Sequence, residues 1–328
     1  MVIGISKMKE IKISVIIPHY NSVKYLKKLC STIPQSEDIE ILVIDDKSCT
    51  DINEIKLFAQ ELLARNGRLI YNTTEKKGPG ICRNIGIDLA RGKWIVFADA
   101  DDYFTPNAFK FYLSKIESAA DVIYSYPTSV KIDTDEPGNR GYEYKKNIKN
   151  YIDNPTKENL FYILFRMSGP YLKMIRKSLV EEHNIRFGET MVAEDVMFST
   201  KVGYYAKMVE ICDECTYCIT ESPGGTLSMR SDTNELCTKV DVFVEWYKFL
   251  CEDKNKGYCP KYYTTFPGAE YVKRAIMEKH GLMILVDILK KYRKTGIKWW
   301  MTHPRKLGFI IRKRVRYGKA VKNTGSKS

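Results

Sequence analysis

A short apolar segment, Trp94–Ala98, runs directly into three carboxylates, Asp99, Asp101 and Asp102. Apolar runs of about four to eight residues usually form buried strands, and α/β proteins place functional groups at the carboxyl edge of such strands. Three acids at one edge repel one another unless a cation lies among them, and oxygen ligands suit Mg²⁺ or Mn²⁺ shared with a phosphate. The segment therefore predicts a metal site at a sheet edge; the alternative is a solvated acidic turn before a helix that starts near Pro106.

The first hundred residues alternate between apolar runs and segments with helical spacing. The apolar runs cover Lys12–Pro18, Ile39–Asp45, Arg68–Asn72 and Trp94–Asp99. Strands that alternate with helices of about 10–15 residues form a largely parallel sheet with helices on both faces. The pattern therefore predicts an α/β fold with a Rossmann-like, mostly parallel sheet flanked by helices.

The rest of the chain is less regular. A polar stretch, Pro127–Asn154, is rich in Lys, Asp, Gly and Asn and is predicted to be a mobile excursion. Beyond it, regular structure is predicted to resume at Leu160–Arg166 and Tyr171–Ile175. Helices are predicted at Lys177–His183 and Glu194–Ala206, two short strands around Asp213–Glu214, and longer helices at Asp232–Cys251 and Ala269–Lys291. We expect one domain over residues 1–228 and a helical C-terminal region over residues 229–328.

The net charge of +13 belongs to one end of the chain. Residues 288–328 contain 14 Lys or Arg and no Asp or Glu, and the remaining residues carry 39 basic against 40 acidic side chains. In this basic tail, Leu307, Ile310, Ile311 and Val315 share one helical face, and the basic side chains lie largely off it. Such a segment suits an anionic membrane surface. The alternatives are a tail packed on the domain or a nucleic-acid patch, and no nucleic-acid-binding motif supports the latter.

The apolar runs and the cysteines predict the cellular compartment of the protein. The sequence has no run of about 18 apolar residues, and Met1–Lys12 lacks the apolar core of a signal peptide. We therefore expect a cytoplasmic protein with reduced thiols, placed peripherally at the inner face of the membrane. Cys212, Cys215 and Cys218 have a zinc-like spacing, but no other C-x₂-C or His pair completes a ligand set, so structural thiols are the favoured interpretation.

Five short motifs follow one another in a recognisable order. They are Pro18-His19-Tyr20-Asn21, Asp45-Asp46-Lys47-Ser48-Cys49-Thr50-Asp51, Gly78-Pro79-Gly80-Ile81-Cys82-Arg83-Asn84, Asp99-Ala100-Asp101-Asp102 and Ala193-Glu194-Asp195. Through them the chain, over about residues 12–228, resembles the family 2 glycosyltransferases, which have the GT-A fold. Lys47 stands where that family usually has Gly, and Cys82 stands where it usually has Ala. The Q-x-x-R-W motif of the family's processive synthases is absent from the sequence, so the resemblance implies addition of one sugar at a time.

The resemblance implies a role for each motif in binding a nucleotide sugar. The residues implied to contact the donor are Pro18, Tyr20, Asn21, Asp46, Arg83, Asn84, Asp99 and Ala100. Asp46 would accept the imide N–H of uracil, and Asp99 would lie beside the ribose. Asp101 would hold Mg²⁺ or Mn²⁺ on the diphosphate, where the metal neutralises the departing nucleoside diphosphate. The alternatives are a strand terminator at Pro18, a helix cap at Asp46 and a surface ion pair at Arg83.

Asp195 is the implied catalytic base. Direct displacement needs one carboxylate that takes the proton from the acceptor hydroxyl, and a single displacement inverts the anomeric centre. Asp195 lies at the start of a predicted helix, where the helix dipole favours the ionised form. The alternative is an acid at a helix N-terminus without a catalytic role. Whether Glu194 assists Asp195 is left open.

The sequence therefore predicts an inverting, metal-dependent glycosyltransferase. It would transfer a single sugar from a UDP-sugar to a hydroxyl of a glycan or lipid-linked acceptor, in a bacterial surface polysaccharide pathway such as lipopolysaccharide or capsule synthesis. One alternative is a sugar nucleotidyltransferase, which should carry a glycine-rich basic loop that Pro18–Lys24 does not show. The other is a non-catalytic membrane-associated binding module, against which Asp99, Asp101 and Asp195 argue.

Overall fold

The computed structural model describes residues 10–132, 134–222, 232–252, 257–259, 268–278 and 280–297. The described residues up to 222 form one compact unit, and those from 232 onward form a second. The domain boundary expected at residue 228 falls between them, outside the described residues.

The first unit is built on four parallel strands in the order β3-β2-β1-β4. These strands are β1 (Ile13–His19), β2 (Ile39–Asp45), β3 (Gly67–Tyr71) and β4 (Trp94–Phe97). The helices between them are α1 (Val23–Ser31), α2 (Ile52–Leu63) and α3 (Pro79–Leu89). Every residue of β2 and β4 is buried, as expected for strands covered on both faces. The predicted mostly parallel α/β sheet is confirmed.

An extension of the same sheet completes eight strands in the order β3-β2-β1-β4-β7-β6-β8-β5. The added strands are β5 (Tyr103–Phe104), β6 (Val122–Lys131), β7 (Lys173–Arg176) and β8 (Val209–Glu221). The helices of this part are α4 (Ala108–Ser114), α5 (Tyr142–Asp153), α6 (Lys157–Arg166), α7 (Lys177–Glu182) and α8 (Glu194–Tyr205), with a 3₁₀ turn at Pro170–Leu172. Strand β7 pairs antiparallel with both β4 and β6, so it joins the two parts of the sheet.

Two predicted features of this unit differ from the structure. The polar stretch Pro127–Asn154 is not an excursion without structure, because its start completes β6 and its end forms α5. The segment Val209–Thr220 is one strand rather than two. The register between β6 and β8 shifts around Tyr126, so that the pair Asp213–Glu214 is accommodated as an irregularity within β8.

The described part of the second unit consists of helices α9 (Thr233–Glu252), α10 (Gly268–Met277) and α11 (Leu282–Thr295). The single helix predicted over Ala269–Lys291 is wrong. Gly281 has φ +96°, a conformation that glycine adopts at little cost, and it precedes the first residue of α11. The break between α10 and α11 therefore includes a glycine whose conformation suits it.

The cysteines in the described residues include one disulfide pair and several free thiols. Cys251 and Cys259 form a disulfide, so the expectation of reduced thiols is wrong for this pair, whereas Cys212, Cys215 and Cys218 are free. The tail from residue 298 onward lies outside the described residues. None of the helices in the described ranges combines the length and the apolar character needed to span a bilayer.

Close packing of α3 fixes the position of the predicted site. Gly80, the second residue of α3, lies against Gly188 and Glu194, and a Cβ at residue 80 would overlap the backbone oxygen of Gly188. A Cβ at Gly188 itself would be 3.4 Å from the nearest neighbouring atom, which is ordinary van der Waals contact. The start of α3 therefore depends on a glycine for its approach to the segment before α8.

We expect Gly80→Ala to lower the free energy of unfolding by about 1–3 kcal/mol, because an added methyl group must displace backbone. Alanine is the better helix former, so helix propensity alone would change stability in the opposite direction. The measurement is urea unfolding of the purified protein. The matched control, Gly188→Ala, should stay close to the wild type. A Gly80→Ala variant as stable as the wild type would contradict the packing argument.

Candidate functional site

The candidate site lies at the carboxyl edge of the parallel strands. Strands β1, β2 and β4 are parallel neighbours, so the residues that follow them meet at one edge of the sheet. The chain runs outward from β1 through β2 to β3 on one side, and β4 lies on the other side of β1. Ligands of open α/β sheets bind in the crevice where the strand order reverses in this way.

The loops after β1 and β2 are fastened together by Asn21. Its side-chain oxygen accepts the backbone N–H groups of Cys49 and Thr50 at 2.8 and 3.1 Å, and its own N–H donates to Ser48 Oγ at 2.9 Å. The predicted donor residue Asn21 thus shapes the rim of the crevice. Tyr20 beside it is 52% exposed, so its ring is available to a ligand.

His19 and Asp45 form a buried pair under this rim that the sequence analysis missed. His19 Nδ1 lies 2.8 Å from Asp45 Oδ1, and Nε2 accepts the Ser22 N–H at 3.2 Å. The imidazole is therefore assigned as neutral, with its proton on Nδ1. Burial raises the pKa of Asp45, but hydrogen bonds from His19 and Ser48 outweigh burial and hold that pKa below its ordinary value. The pair anchors the ends of β1 and β2.

Asp46 connects three elements through one carboxylate. It accepts the Asn72 side-chain amide at 2.8 Å and the Gly78 N–H at 2.8 Å, one on each oxygen. Gly78 has φ +126°, a backbone conformation that residues other than glycine rarely adopt. Asp46 is buried and also hydrogen-bonds with the Cys82 thiol, but a carboxylate has about four lone-pair sites, so one remains. It can therefore fix the start of α3 and still accept one further N–H.

Both departures from the family pattern are neighbours of Asp46: Lys47 follows it in the sequence, and Cys82 lies beside its carboxylate. Lys47 has φ +62°, the left-handed conformation that favours glycine, and its Nζ donates to the carbonyl oxygen of Thr74 at 2.5 Å. Cys82 is buried beside the Asp46 carboxylate, and burial followed by that negative charge raises the pKa of its thiol to about 12. Lys47 thus occupies a glycine conformation, and Cys82 stays a neutral thiol.

Arg83 joins the two acidic motifs. Its guanidinium is 2.6 Å from Asp99 Oδ1 and 2.9 Å from Glu194 Oε1, and the side chain is 4% exposed. Burial lowers the pKa of Arg83, and the two carboxylates more than offset this, so the group stays charged. A guanidinium has five N–H donors, so these two contacts leave further donors on the group. Arg83 thus brings the acidic end of β4 next to the start of α8.

The Asn84 side chain hydrogen-bonds with the backbone of Phe187. Its side-chain amide donates to the Phe187 carbonyl at 3.1 Å, and its side-chain oxygen accepts the Phe187 N–H at 2.9 Å. Both ends of the side chain are therefore engaged by backbone of the segment before α8. Asn84 was predicted to contact the donor, and in the structure its side chain also joins α3 to that segment.

The three carboxylates after β4 have different surroundings. Asp102 is buried and accepts the Thr220 N–H of β8 at 2.7 Å, so it anchors the turn. Asp99 is partly exposed and paired with Arg83, and buried Ala100 separates it from Asp101. Asp101 is exposed at the surface of the crevice, yet desolvation by its neighbours and then the charge of Asp99 raise its pKa. Burial and the charges of Asp101 and Asp99 also raise the pKa of Asp102.

Within the described ranges, no group of three His, Cys, Asp or Glu side chains converges as a complete metal-binding set. Mg²⁺ usually takes only one or two carboxylates and completes its shell with water and substrate phosphates. Asp101, exposed and next to Asp99, fits that donor chemistry. A cation at this edge would also oppose the repulsion that raises the pKa of Asp101.

The acidic pair Glu194–Asp195 occupies the first turn of α8. Ala193 before it has φ +58°, an uncommon conformation for a residue with a Cβ. Burial raises the pKa of Asp195 and outweighs the opposing effects of Arg83, Lys173 and a hydrogen bond from Ser168. The expectation from the sequence was that the helix dipole would favour the ionised form. In the structure, burial outweighs the effects that lower the pKa of Asp195. A carboxylate whose pKa lies nearer to neutral is a better proton acceptor.

The polar stretch predicted as an excursion contributes residues to the acidic edge. The positive charge of Arg140 lowers the pKa values of Asp101 and Asp102 against burial. Tyr144 of α5 lies near Asp195 and hydrogen-bonds with the side chain of Tyr171. No motif in the sequence marked these residues. Hydrogen bonds from the Asn139 and Arg140 N–H groups to Glu221 of β8 hold this part of the stretch against the sheet.

Comparison with known proteins supports a single family. The model of the family "Glycosyl transferase family 2" matches residues 14–183, more than half of the chain. The Staphylococcus aureus poly(ribitol-phosphate) beta-N-acetylglucosaminyltransferase TarS is 26% identical over 66% of this chain and 37% of its own length. The Campylobacter jejuni GalNAc(5)-diNAcBac-PP-undecaprenol beta-1,3-glucosyltransferase is 28% identical over 54% of this chain and 55% of its own. The chain thus spans less than two thirds of each relative.

Solved structures share the fold. The S. aureus TarS 1-349 structure in complex with UDP-GlcNAc superposes with a TM-score of 0.63 at 22% identity, covering 87% of this chain and 81% of that one. The Pyrobaculum calidifontis mannosyltransferase PcManGT, in complex with GDP-Man and Mn²⁺, superposes with a TM-score of 0.55 at 15% identity, covering 98% and 89%. The sheet, its flanking helices and the family model lead to one conclusion: the chain belongs to glycosyltransferase family 2 and has the GT-A fold.

Proposed function

We propose that this protein transfers one sugar from a UDP-sugar to a hydroxyl group of a glycan or lipid-linked acceptor, with inversion at the anomeric carbon. The observation that carries the proposal is the Arg83 bridge from Asp99 to Glu194. It puts an acidic edge suited to a metal–diphosphate next to Asp195, which is suited to deprotonate a hydroxyl. A binding module has no need of the second acid.

The donor would lie along the rim made by the loops after β1 and β2. Exposed Tyr20 and half-buried Pro18 offer flat surfaces to a base, and Asp46 has a lone pair for an imide N–H. Asp99, although paired with Arg83, keeps about a third of its side chain exposed for a ribose hydroxyl. The TarS structure with UDP-GlcNAc supports a uridine donor for this fold.

Asp101 would hold Mg²⁺ or Mn²⁺ together with the diphosphate. Its exposed carboxylate suits a hard cation, and a GT-A neighbour is seen with Mn²⁺. The bound ion would neutralise negative charge on the leaving nucleoside diphosphate. Asp102 would stay a structural residue, because β8 already engages it.

Asp195 would accept the proton of the acceptor hydroxyl. Its neighbour Glu194 is held by Arg83, so Asp195 is the better placed of the two for an incoming hydroxyl. Its raised pKa strengthens it as a base. Glu194 would contribute by keeping Arg83, and through it Asp99, in position.

The acceptor is proposed from the relatives and from the charge of the tail. The two relatives are named for poly(ribitol-phosphate) and for an undecaprenol-linked glycan, both of which suggest a surface glycan. Exposed Lys290, Arg293 and Lys294 on α11 begin the basic tail. We infer that the tail holds the protein at the anionic cytoplasmic face of a bacterial membrane, where a lipid-linked acceptor for lipopolysaccharide or capsule would be found.

Asp101→Asn should lower kcat/KM for sugar transfer, or for slow donor hydrolysis, by at least about 100-fold, since charge stabilisation of the leaving group is lost. The measurement is nucleotide release from a panel of UDP-, GDP- and dTDP-sugars with Mn²⁺ and with chelator. The control is Asp153→Asn, an exposed aspartate at the end of α5. Metal-dependent turnover that survives in Asp101→Asn would refute the metal role. A folded wild-type protein that binds no nucleotide sugar would refute the donor class.

Asp195→Asn should keep UDP binding and lose transfer by about 10²–10⁴-fold, the range typical of general-base catalysis. In the wild type, kcat/KM should fall as the pH drops through the pKa of Asp195, because only the carboxylate accepts a proton. Since burial raises that pKa, this fall should occur above the ordinary aspartate range. Glu194→Gln tests the neighbour: an Asp195→Asn variant more active than Glu194→Gln would reverse the assignment.

Replacement of Arg312, Lys313, Arg314 and Arg316 by Gln should weaken binding to phosphatidylglycerol-containing vesicles, at roughly 1 kcal/mol per charge. The measurement is cosedimentation, with phosphatidylcholine vesicles as the neutral surface. A control variant removes the same charge from exposed lysines of the first unit: Lys24, Lys56, Lys110 and Lys157. Equal loss in both variants, or no preference for the anionic vesicles, would contradict a membrane role for the tail.

A further inference from the structure

Lys173 is a buried lysine that the proposed reaction does not use. It lies in β7 with 0% exposure, and burial lowers its pKa to about 7. Its Nζ is 2.7 Å from the Met167 carbonyl oxygen, 2.8 Å from the Gly169 carbonyl oxygen and 3.2 Å from Ser199 Oγ. A buried ammonium is costly unless its donors are satisfied, and three acceptors match its three N–H groups.

The direction of these hydrogen bonds indicates a charged Lys173. The two carbonyl oxygens can only accept. Ser199 Oγ donates its own proton to the carbonyl oxygen of Ser168, so it can only accept from Lys173 as well. Three donors on Nζ exist only in the ammonium form. The Tyr124 ring, with its centroid 5.6 Å from Nζ, gives further favourable contact to a cation.

The acceptors of Lys173 surround one short segment and one helix. Met167, Ser168 and Gly169 are consecutive, and all three carbonyl oxygens are bound, two by Lys173 and one by Ser199. Ser199 itself belongs to α8, four residues after Asp195 and thus one turn along the same face. Lys173 therefore ties the segment between α6 and the 3₁₀ turn to the helix that carries Asp195.

Ser168, in the middle of that segment, is held against α8 by the hydrogen bond from Ser199, one turn from Asp195. Its side chain is a hydrogen-bond partner that lowers the pKa of Asp195. We propose that Lys173 and Ser168 are positioning residues for Asp195: Lys173 fixes the backbone of Met167–Gly169, and the Ser168 hydroxyl orients the carboxylate toward the acceptor. This inference rests on the proposed function of Asp195 as the base. The positive charge of Lys173 also favours the ionised carboxylate, without a direct contact.

Several charged groups surround Asp195 and shape its titration. Arg83 of α3 and Lys173 of β7 favour the carboxylate, whereas Asp99 after β4 opposes it. Glu194 precedes Asp195 on α8. Burial, followed by the charge of Asp195, raises the pKa of Tyr144 of α5. Removal of the Ser168 hydroxyl leaves all of these groups in place. Its effect on the Asp195 carboxylate should therefore be separable from theirs.

The decisive variant is Ser168→Ala, because it keeps the backbone carbonyl that Ser199 binds. We expect kcat to fall by about 10-fold, the worth of a hydrogen bond to a charged group, with the donor KM unchanged. The acidic limb of the pH profile should move to higher pH, since a hydrogen bond to the carboxylate lowers its pKa. Ser168→Thr restores a hydroxyl and should recover activity. In an Asp195→Asn background, Ser168→Ala should have no further effect.

A second measurement needs no sugar transfer. The ¹³C resonance of the Asp195 carboxyl, assigned by its loss in Asp195→Asn, gives its pKa directly. That pKa should rise in Ser168→Ala and in Lys173→Met, and return in Ser168→Thr. An unchanged pKa and unchanged kcat in Ser168→Ala would overturn the positioning role, even where Lys173→Met does not fold. A shifted pKa in a protein that turns over no nucleotide sugar would instead refute the proposed function while keeping the contact.

Discussion

The contact on which the site depends is the buried guanidinium of Arg83 between Asp99 and Glu194. Asp99 follows a strand of the parallel half of the sheet, and Glu194 opens a helix that comes after the antiparallel strand β7. Removing one partner from such a buried network leaves an uncompensated charge, at a cost of about 3–5 kcal/mol. Gly80 serves the same contact, because only a residue without a Cβ lets α3 approach Gly188 and Glu194. Stability and the proposed catalysis would therefore depend on the same residues.

The acids of the site are distinguished by their partners rather than by their type. Asp46 and Asp102 each accept backbone N–H groups and fix loops, whereas Glu194 is taken up by Arg83. That leaves Asp101 at the surface and Asp195 in a partly buried position, each with a raised pKa. A carboxylate that suits a cation and a carboxylate that suits a proton are the two that metal-assisted sugar transfer requires. Two buried cations, Arg83 and Lys173, both favour the ionised form of Asp195.

Sequence reasoning was accurate where the signal is local. The four parallel strands and their helices follow from apolar runs and helical spacing, and Ile39–Asp45 is found at the predicted bounds. It was incomplete where a distant partner decides the contacts. The motif around Asn84 does not reveal that Phe187, 103 residues away, engages both ends of its side chain. Residues 127–154 look like an excursion because they are polar, yet pairing of β6 with β8 orders their start and brings Arg140 and Tyr144 to the acidic edge.

The class of the fold, the family and the acids after β4 and at the start of α8 follow from the sequence, because they depend on the order and spacing of nearby residues. Which acid is paired, which is exposed and which is oriented by a neighbour follows from the folded arrangement of the chain. Arg83 and Glu194 are 111 residues apart, and Lys173 and Ser199 are 26 apart. Burial and hydrogen bonding act on residues that meet in space, so the chemistry of each carboxylate was fixed only when the sheet brought its partners together.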